Sequence, residues 1–199
     1  MSYHDRSFDP QERHALQSAE REAKWHPRSL LQQLGFQLGQ SVLDLGCGTG
    51  FWTLPLAEIV GVVGKVWALD VSPEMLEALV ERKPPTQVQP LLSELPRIDL
   101  PEASVDSIWG AFVIHEVEPL EDLIVEMQRV LRPGGYLAIL DWRPDAAHDA
   151  GPPFAHRLAS DAIIRHLQAA GFQQVSQTWQ NEDAYLVEAN CYGEKGSGE

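Results

Sequence analysis

The chain has only two cysteines, Cys47 and Cys191, far apart and with no second thiol or histidine at ligand spacing. That excludes a disulfide framework and argues against a zinc module. No apolar run reaches the length needed to span a bilayer, so no membrane partner is expected. The opening residues, MSYHDRSFDPQER, are polar and mixed in charge and lack the apolar stretch of a secretory signal. A cytoplasmic protein is the expectation. Basic residues are scarce as well: 15 Lys and Arg stand against 29 Asp and Glu, for a net charge of −14. Such a surface repels a phosphate backbone, so no nucleic acid is expected as a partner. A small ligand meets no such barrier.

What the chain does contain is enough apolar sequence, 44% of 199 residues, for one domain with a sizeable core. Residues 9–24 read as a polar helix lying over that domain, and 29–35 as a second short helix. Strand candidates follow at 41–45, 65–69, 88–92, 105–112 and 136–141, with helix candidates between them at 51–60, 73–83 and 119–131. In the last helix Leu120, Leu123, Ile124, Met127, Val130 and Leu131 fall at helical spacing, and RPGG stops it. Ser72-Pro73 offers an N-cap and a pre-set first helical residue. Strand–helix alternation with fully apolar strands predicts a parallel sheet covered on both faces. Beyond Asp141 the pattern changes to a long Pro/Gly/His-rich connection, a helix at 160–171, and two strands at 174–180 and 184–190. Their short separation predicts an antiparallel hairpin at the sheet edge. The expected organisation is a single domain over 1–199: a helical cover at 1–36, a core at 37–192 and a flexible tail at 193–199.

The most informative stretch is VLDLGCGTG, residues 42–50, where a strand runs into glycines at 46, 48 and 50. Glycine lets backbone turn sharply and lets a ligand approach it closely. In an open parallel sheet, ligands bind at the carboxyl ends of the strands. Asp70 ends the second strand some twenty residues later, where an acid can take the hydroxyls of a ribose. A nucleoside is implied. The dinucleotide fingerprint G-x-G-x-x-G would need a third glycine where Phe51 stands, which disfavours an NAD-dependent oxidoreductase. Asp44 suits an ammonium group better than a phosphate, and no GK[ST] follows. A nucleoside with an amino-acid tail, S-adenosylmethionine, fits these residues.

Together with VWALDVSPEM, SELPRIDLPEASVD, AFVIHEVEPL, RVLRPGGYLAILDW and GPPFAHRLASDAIIRHLQAAGF, the motif resembles the class I S-adenosylmethionine-dependent methyltransferases from about Val42 to Gly171. The resemblance is to their small-molecule branch, which includes quinone-biosynthesis enzymes. It implies an α/β fold with a Rossmann-like, seven-stranded, mostly parallel sheet, an antiparallel edge hairpin, helices on both faces and an N-terminal helical cover. It also implies that Gly46, Cys47, Gly48 and Gly50 carry the methionine portion and that Asp44 orients its amino group. Asp70 would bind the ribose, Val71 and Met75 the adenine ring, and Ser93 or Glu94 the adenine amine, with Phe112 beneath the cofactor. Each has a plainer reading alone: Asp70 as a strand-end cap, Cys47 as a small buried side chain, Met75 and Phe112 as core.

For chemistry, His115 in FVIHEVEP follows the fourth strand and is the candidate general base, with a loop-bracing role as the alternative. HEVEP lacks the second histidine of a zinc-protease motif, so no metal is expected. By the resemblance, the connection after Asp141 covers the acceptor, making Trp142 and Arg157 candidate substrate contacts; Arg143 and His156 read better as surface residues. Trp109 and Trp179 read as core. The absence of an NPPY-type tetrapeptide argues again against nucleic acid, and the cysteine count argues against metalloid methylation. The expected reaction is methyl transfer to O, N or C of a small-molecule acceptor, by a monomer or homodimer. The competing reading is a protein that binds S-adenosylmethionine without transferring its methyl, as a regulator or partner subunit.

Overall fold

A computed structural model describes residues 15–146 and 151–192. Its centre is a seven-stranded sheet in the order β3-β2-β1-β4-β5-β7-β6. The strands are β1 (Ser41–Leu45), β2 (Lys65–Asp70), β3 (Val88–Leu92), β4 (Val105–Ala111), β5 (Leu131–Trp142), β6 (Gln173–Gln180) and β7 (Ala184–Asn190). β1 to β5 pair in parallel, and β7 runs antiparallel to both of its neighbours. The expected edge hairpin is therefore present, with its second strand inserted between β5 and β6. Pro90 interrupts no ladder in the interior, because β3 is the sheet edge beyond β2.

Side chains alternate between two apolar layers. Leu43, Leu45, Leu69, Ile108 and Leu137 pack with α5 (Leu120–Val130) and α6 (Ser160–Ala169) on one face. On the other, Val42, Val66, Ala68, Trp109 and Leu140 pack with α2 (Pro27–Leu31), α3 (Thr53–Val60) and α4 (Pro73–Glu81). Burial on both faces is what makes the central strands continuous apolar runs. The α5 stripe Leu120, Leu123, Ile124, Met127 and Val130 is buried, each side chain contributing about 1.5–3 kcal/mol. At α4, Ser72 caps as expected: its Oγ accepts from the Met75 amide at 3.2 Å, ahead of Pro73.

Three expected elements differ. The polar helix at 9–24 begins in part outside the described residues; within them, α1 covers Ala19–Trp25, capped by Ser18. The second helix spans Pro27–Leu31 instead of 29–35, because His26 in a left-handed conformation (φ 42°) ends α1 and Pro27 starts α2 at once. β5 starts at Leu131, not 136, since Leu131 pairs with Val105 across an irregularity in the ladder. The tail at 193–199 lies outside the described residues. Among these residues no helix is long and apolar enough to cross a membrane.

Candidate active site

The carboxyl ends of β1, β2, β4 and β5 converge on one side of the sheet, and the chemically interesting residues gather there. Past β1 the chain turns through Gly46, Gly48 and Gly50, all with positive φ (69°, 52° and 84°). A Cβ at Gly46 would sit 2.6 Å from Val113, so only glycine fits that turn. The acid of β2 is built into the same turn. Asp70 Oδ2 accepts from the Gly48 amide at 2.8 Å, and Oδ1 accepts from Ser72 at 2.9 Å.

Beneath the turn, Asp44 is almost fully buried and accepts a 2.5 Å bond from the Thr53 hydroxyl. Burial raises its carboxyl to about 7, with Thr53 pulling down and Asp70 adding to the rise. Cys47 is buried, and burial first, then Asp44 and Asp70, push its thiol well up. That is the behaviour of an inert side chain, not a nucleophile.

His115 sits in a three-residue 3-10 turn, Ile114–Glu116, that follows β4. Its Nδ1 lies 2.7 Å from Asp141 Oδ1, at the end of β5, and both side chains are buried. The same carboxylate accepts from the His115 amide at 3.1 Å and from the Trp142 amide at 2.8 Å. With Nδ1 turned to this acceptor, Nε2 is the nitrogen left to take a proton. Burial lowers the imidazole's affinity for a proton, but the charge and hydrogen bond of Asp141, with Glu116 behind, outweigh it and leave the pKa raised.

An aromatic cluster fills the space alongside. Phe112, the last residue before the 3-10 turn region and held at φ 60°, lies 4.5 Å from Trp142 and 4.8 Å from Trp25 by ring centroids. Trp25 comes from α1, so the N-terminal cover reaches into the site. A Cβ at Gly48 would touch Leu16 at 3.3 Å, which places the segment before α1 over the glycine turn.

The chain is similar to known methyltransferases in sequence and in fold. A family model described as a methyltransferase domain matches residues 43–139. Demethylmenaquinone methyltransferases of Geobacillus stearothermophilus and Oceanobacillus iheyensis are each 33% identical over 127 residues, 62% of this chain. The chain spans about half the length of these curated relatives, 54% and 53%. An S-adenosylmethionine-dependent methyltransferase from Aquifex aeolicus is 33% identical, with a TM-score of 0.86 over 93% of this chain and all of that one. The chain belongs to the S-adenosylmethionine-dependent methyltransferases. S-adenosylmethionine is accordingly its cofactor, and the observed sheet is the methyltransferase sheet.

The residues present fit that cofactor. A turn of positive-φ glycines, with only Leu16 near a Cβ at Gly48, leaves backbone for the methionine portion, and Asp70 stands beside it. Of the adenine candidates, Met75 is buried and Val71 half-buried. Ser93 is buried, its hydroxyl donating to the Arg97 carbonyl at 2.9 Å, while Glu94 is exposed beside it. Trp142 belongs to the aromatic cluster. Arg157, read as a candidate substrate contact with surface charge as its plainer alternative, is buried and braces the loop by donating to the carbonyls of Pro152 and Arg143 at 2.9 and 3.2 Å. Arg143 pairs with Asp145, and Trp109 is core. His156 is half-buried in a second 3-10 turn, Phe154–His156. Among the described residues no cluster of His, Cys, Asp and Glu is arranged to hold a metal.

Sequence reasoning missed Asp141, Thr53, Arg21 and Trp25. Asp141 reads as a strand terminator, and only the β4–β5 pairing reveals its histidine. Arg21 and Trp25 carry a weak signal, one turn apart on an otherwise polar helix.

Proposed function

We propose that the protein transfers the methyl of S-adenosylmethionine to a protic small-molecule acceptor, with His115 as general base and Asp141 as its orienting partner. The observation that carries this reading is the buried His115–Asp141 pair, 2.7 Å apart, at the strand ends beside Phe112. An orienting carboxylate of this kind fixes the tautomer and stabilises the imidazolium that forms. When bound, the cofactor supplies an electrophilic methyl on a sulfonium. The glycine turn and Asp70 would hold its methionine and ribose portions, with Glu94 the acid free to meet the adenine amine. His115 Nε2 would take the acceptor's O–H, N–H or acidified C–H proton as the acceptor atom bonds to the methyl and the methyl–sulfur bond breaks, its electron pair staying on the resulting neutral thioether. The pair then carries that proton until solvent removes it.

A small acceptor is supported by the net charge of −14, which disfavours polyanions, and by the quinone substrates named for the curated relatives. The test is turnover of methyl-labelled cofactor with pools of hydroxylated, amino and activated-methylene acceptors. Labelled product with one pool, absent in His115→Ala, supports the reading. Tight cofactor binding with no turnover of any pool would leave the protein as a binding subunit.

A further inference from the structure

The inner face of α1 carries a charge that meets aromatic rings but no acidic partner among the described residues. Arg21 places its guanidinium 4.9 Å from the ring of Phe51 and 5.6 Å from that of Phe112. Its Nε is buried and makes no hydrogen bond, and among the described residues no carboxylate pairs with it. This is unusual in a chain with 29 acids to 15 bases. Burial alone draws the group down to about 10, with no acidic neighbour to offset it, so it stays cationic at neutral pH. A half-buried cation with no acidic partner is costly unless something else meets it.

We propose, resting on the methyl-transfer reading above, that Arg21 recognises the acceptor and that the acceptor is a flat anion. The position of the charge favours the acceptor over the cofactor's own carboxylate. Leu16, not Arg21, is the cover residue against Gly48; Arg21 lies between the rings of Phe51, just past the turn, and Phe112, which Trp25 also faces. The rings of Trp25, Phe112 and Trp142 touch one another, with centroids 4.5 to 5.9 Å apart, and form an aromatic wall against which a flat acceptor can lie. A cationic acceptor is disfavoured because guanidinium groups already occupy ring faces here: Arg21 over Phe112, and Arg157 5.8 Å from Trp142. An anion delocalised over a ring would satisfy Arg21 by charge and the aromatic cluster by stacking.

The test uses one ring system in three charge states: 2-naphthoate, 2-naphthol and 2-naphthylmethylammonium. Each is titrated into the full chain, with and without S-adenosylhomocysteine, and followed by tryptophan fluorescence and calorimetry. The expected order is naphthoate tightest and the ammonium compound weakest, with the first gap about ten- to a hundredfold. Arg21→Gln should abolish the gap while leaving naphthol within about twofold, and Arg21→Lys should restore part of it. Melting temperatures of both variants verify the fold; removing a half-buried charge with no acidic partner should not lower them. No preference for the anion in the wild type, no binding of any probe, or a preference that survives Arg21→Gln overturns the proposal. So does a loss of S-adenosylhomocysteine affinity in Arg21→Gln with naphthoate binding intact, which would assign the guanidinium to the cofactor. A wild type that binds naphthoate selectively yet transfers no methyl would sink the catalytic reading and leave this one standing.

Discussion

The Gly48 amide donates to Asp70 Oδ2 at 2.8 Å, so the glycine turn of β1 and the acid of β2 form one hydrogen-bonded unit. Burial raises the Asp70 carboxyl, against the backbone amides of Ser72, Gly48 and Val71 that favour its charge. Each carboxylate oxygen has a second lone pair, which leaves capacity for two ribose hydroxyls.

Asp70→Ala should therefore weaken S-adenosylmethionine binding by about 1.5–3 kcal/mol, the range for hydrogen bonds to a charged group. It should also lower the melting temperature of the cofactor-free protein, because two backbone amides lose their acceptor. Calorimetry showing unchanged affinity would remove Asp70 from the ribose site.

Much of the scaffold of this unit is legible in the sequence. β1, β3 and β7 fall on the expected residues 41–45, 88–92 and 184–190, because each is a compact apolar or β-branched run bounded by turn residues. The late start expected for β5 has a physical cause: RPGG reads as a breaker, yet the chain there still pairs with β4 across a bulge. Asp70 and the glycines announce themselves by spacing. Asp141 does not, since its meaning depends on a residue from a different strand's end, and sequence periodicity is blind to such meetings.

His115→Ala should lower turnover by roughly two to four orders of magnitude, with cofactor affinity almost unchanged. A base must be neutral to accept a proton. With the His115 pKa raised above its ordinary 6.5, the rate should climb as pH rises through a titration above that value and fall on the acid side. Asp141→Asn removes the charge that holds the pKa up, so the acid limb should move to lower pH while the rate drops about ten- to a hundredfold. Pre-steady-state pH profiles of the three proteins check this, and an unmoved limb would make the pair purely structural.

Asp44 gives a second pH signature. Its carboxyl titrates near 7 in the fold but near 3.9 in an unfolded chain. The folded state holds the extra proton between those values, so stability of the cofactor-free protein should fall as pH rises from about 4 to about 7. If Asp44 faces the cofactor's ammonium, binding near pH 6.5 should release a proton. Calorimetry in two buffers of different ionisation enthalpy measures it, and Asp44→Asn should abolish both effects. Equal heats in the two buffers would detach Asp44 from the cofactor.

Activity on whichever acceptor is found should survive EDTA, given that no ligand cluster for a metal exists among the described residues. Inhibition reversed by adding a divalent ion would refute this.

Lys24 of α1 lies 2.7 Å from the buried Asp183, in the turn joining β6 to β7. The cover and its anchor thus come from elements far apart in the sequence, one before the whole sheet and one in its last hairpin. During synthesis the glycine turn, Asp70, the His115–Asp141 pair and the rings that Trp25 packs against all leave the ribosome before Asp183 does, so α1 meets its aromatic partners before its ionic one. Only when the turn between β6 and β7 is made does Lys24 find its partner. Truncation of the last thirty or so residues would therefore remove the ionic anchor of the cover and loosen it, although not one residue of the glycine turn would be missing.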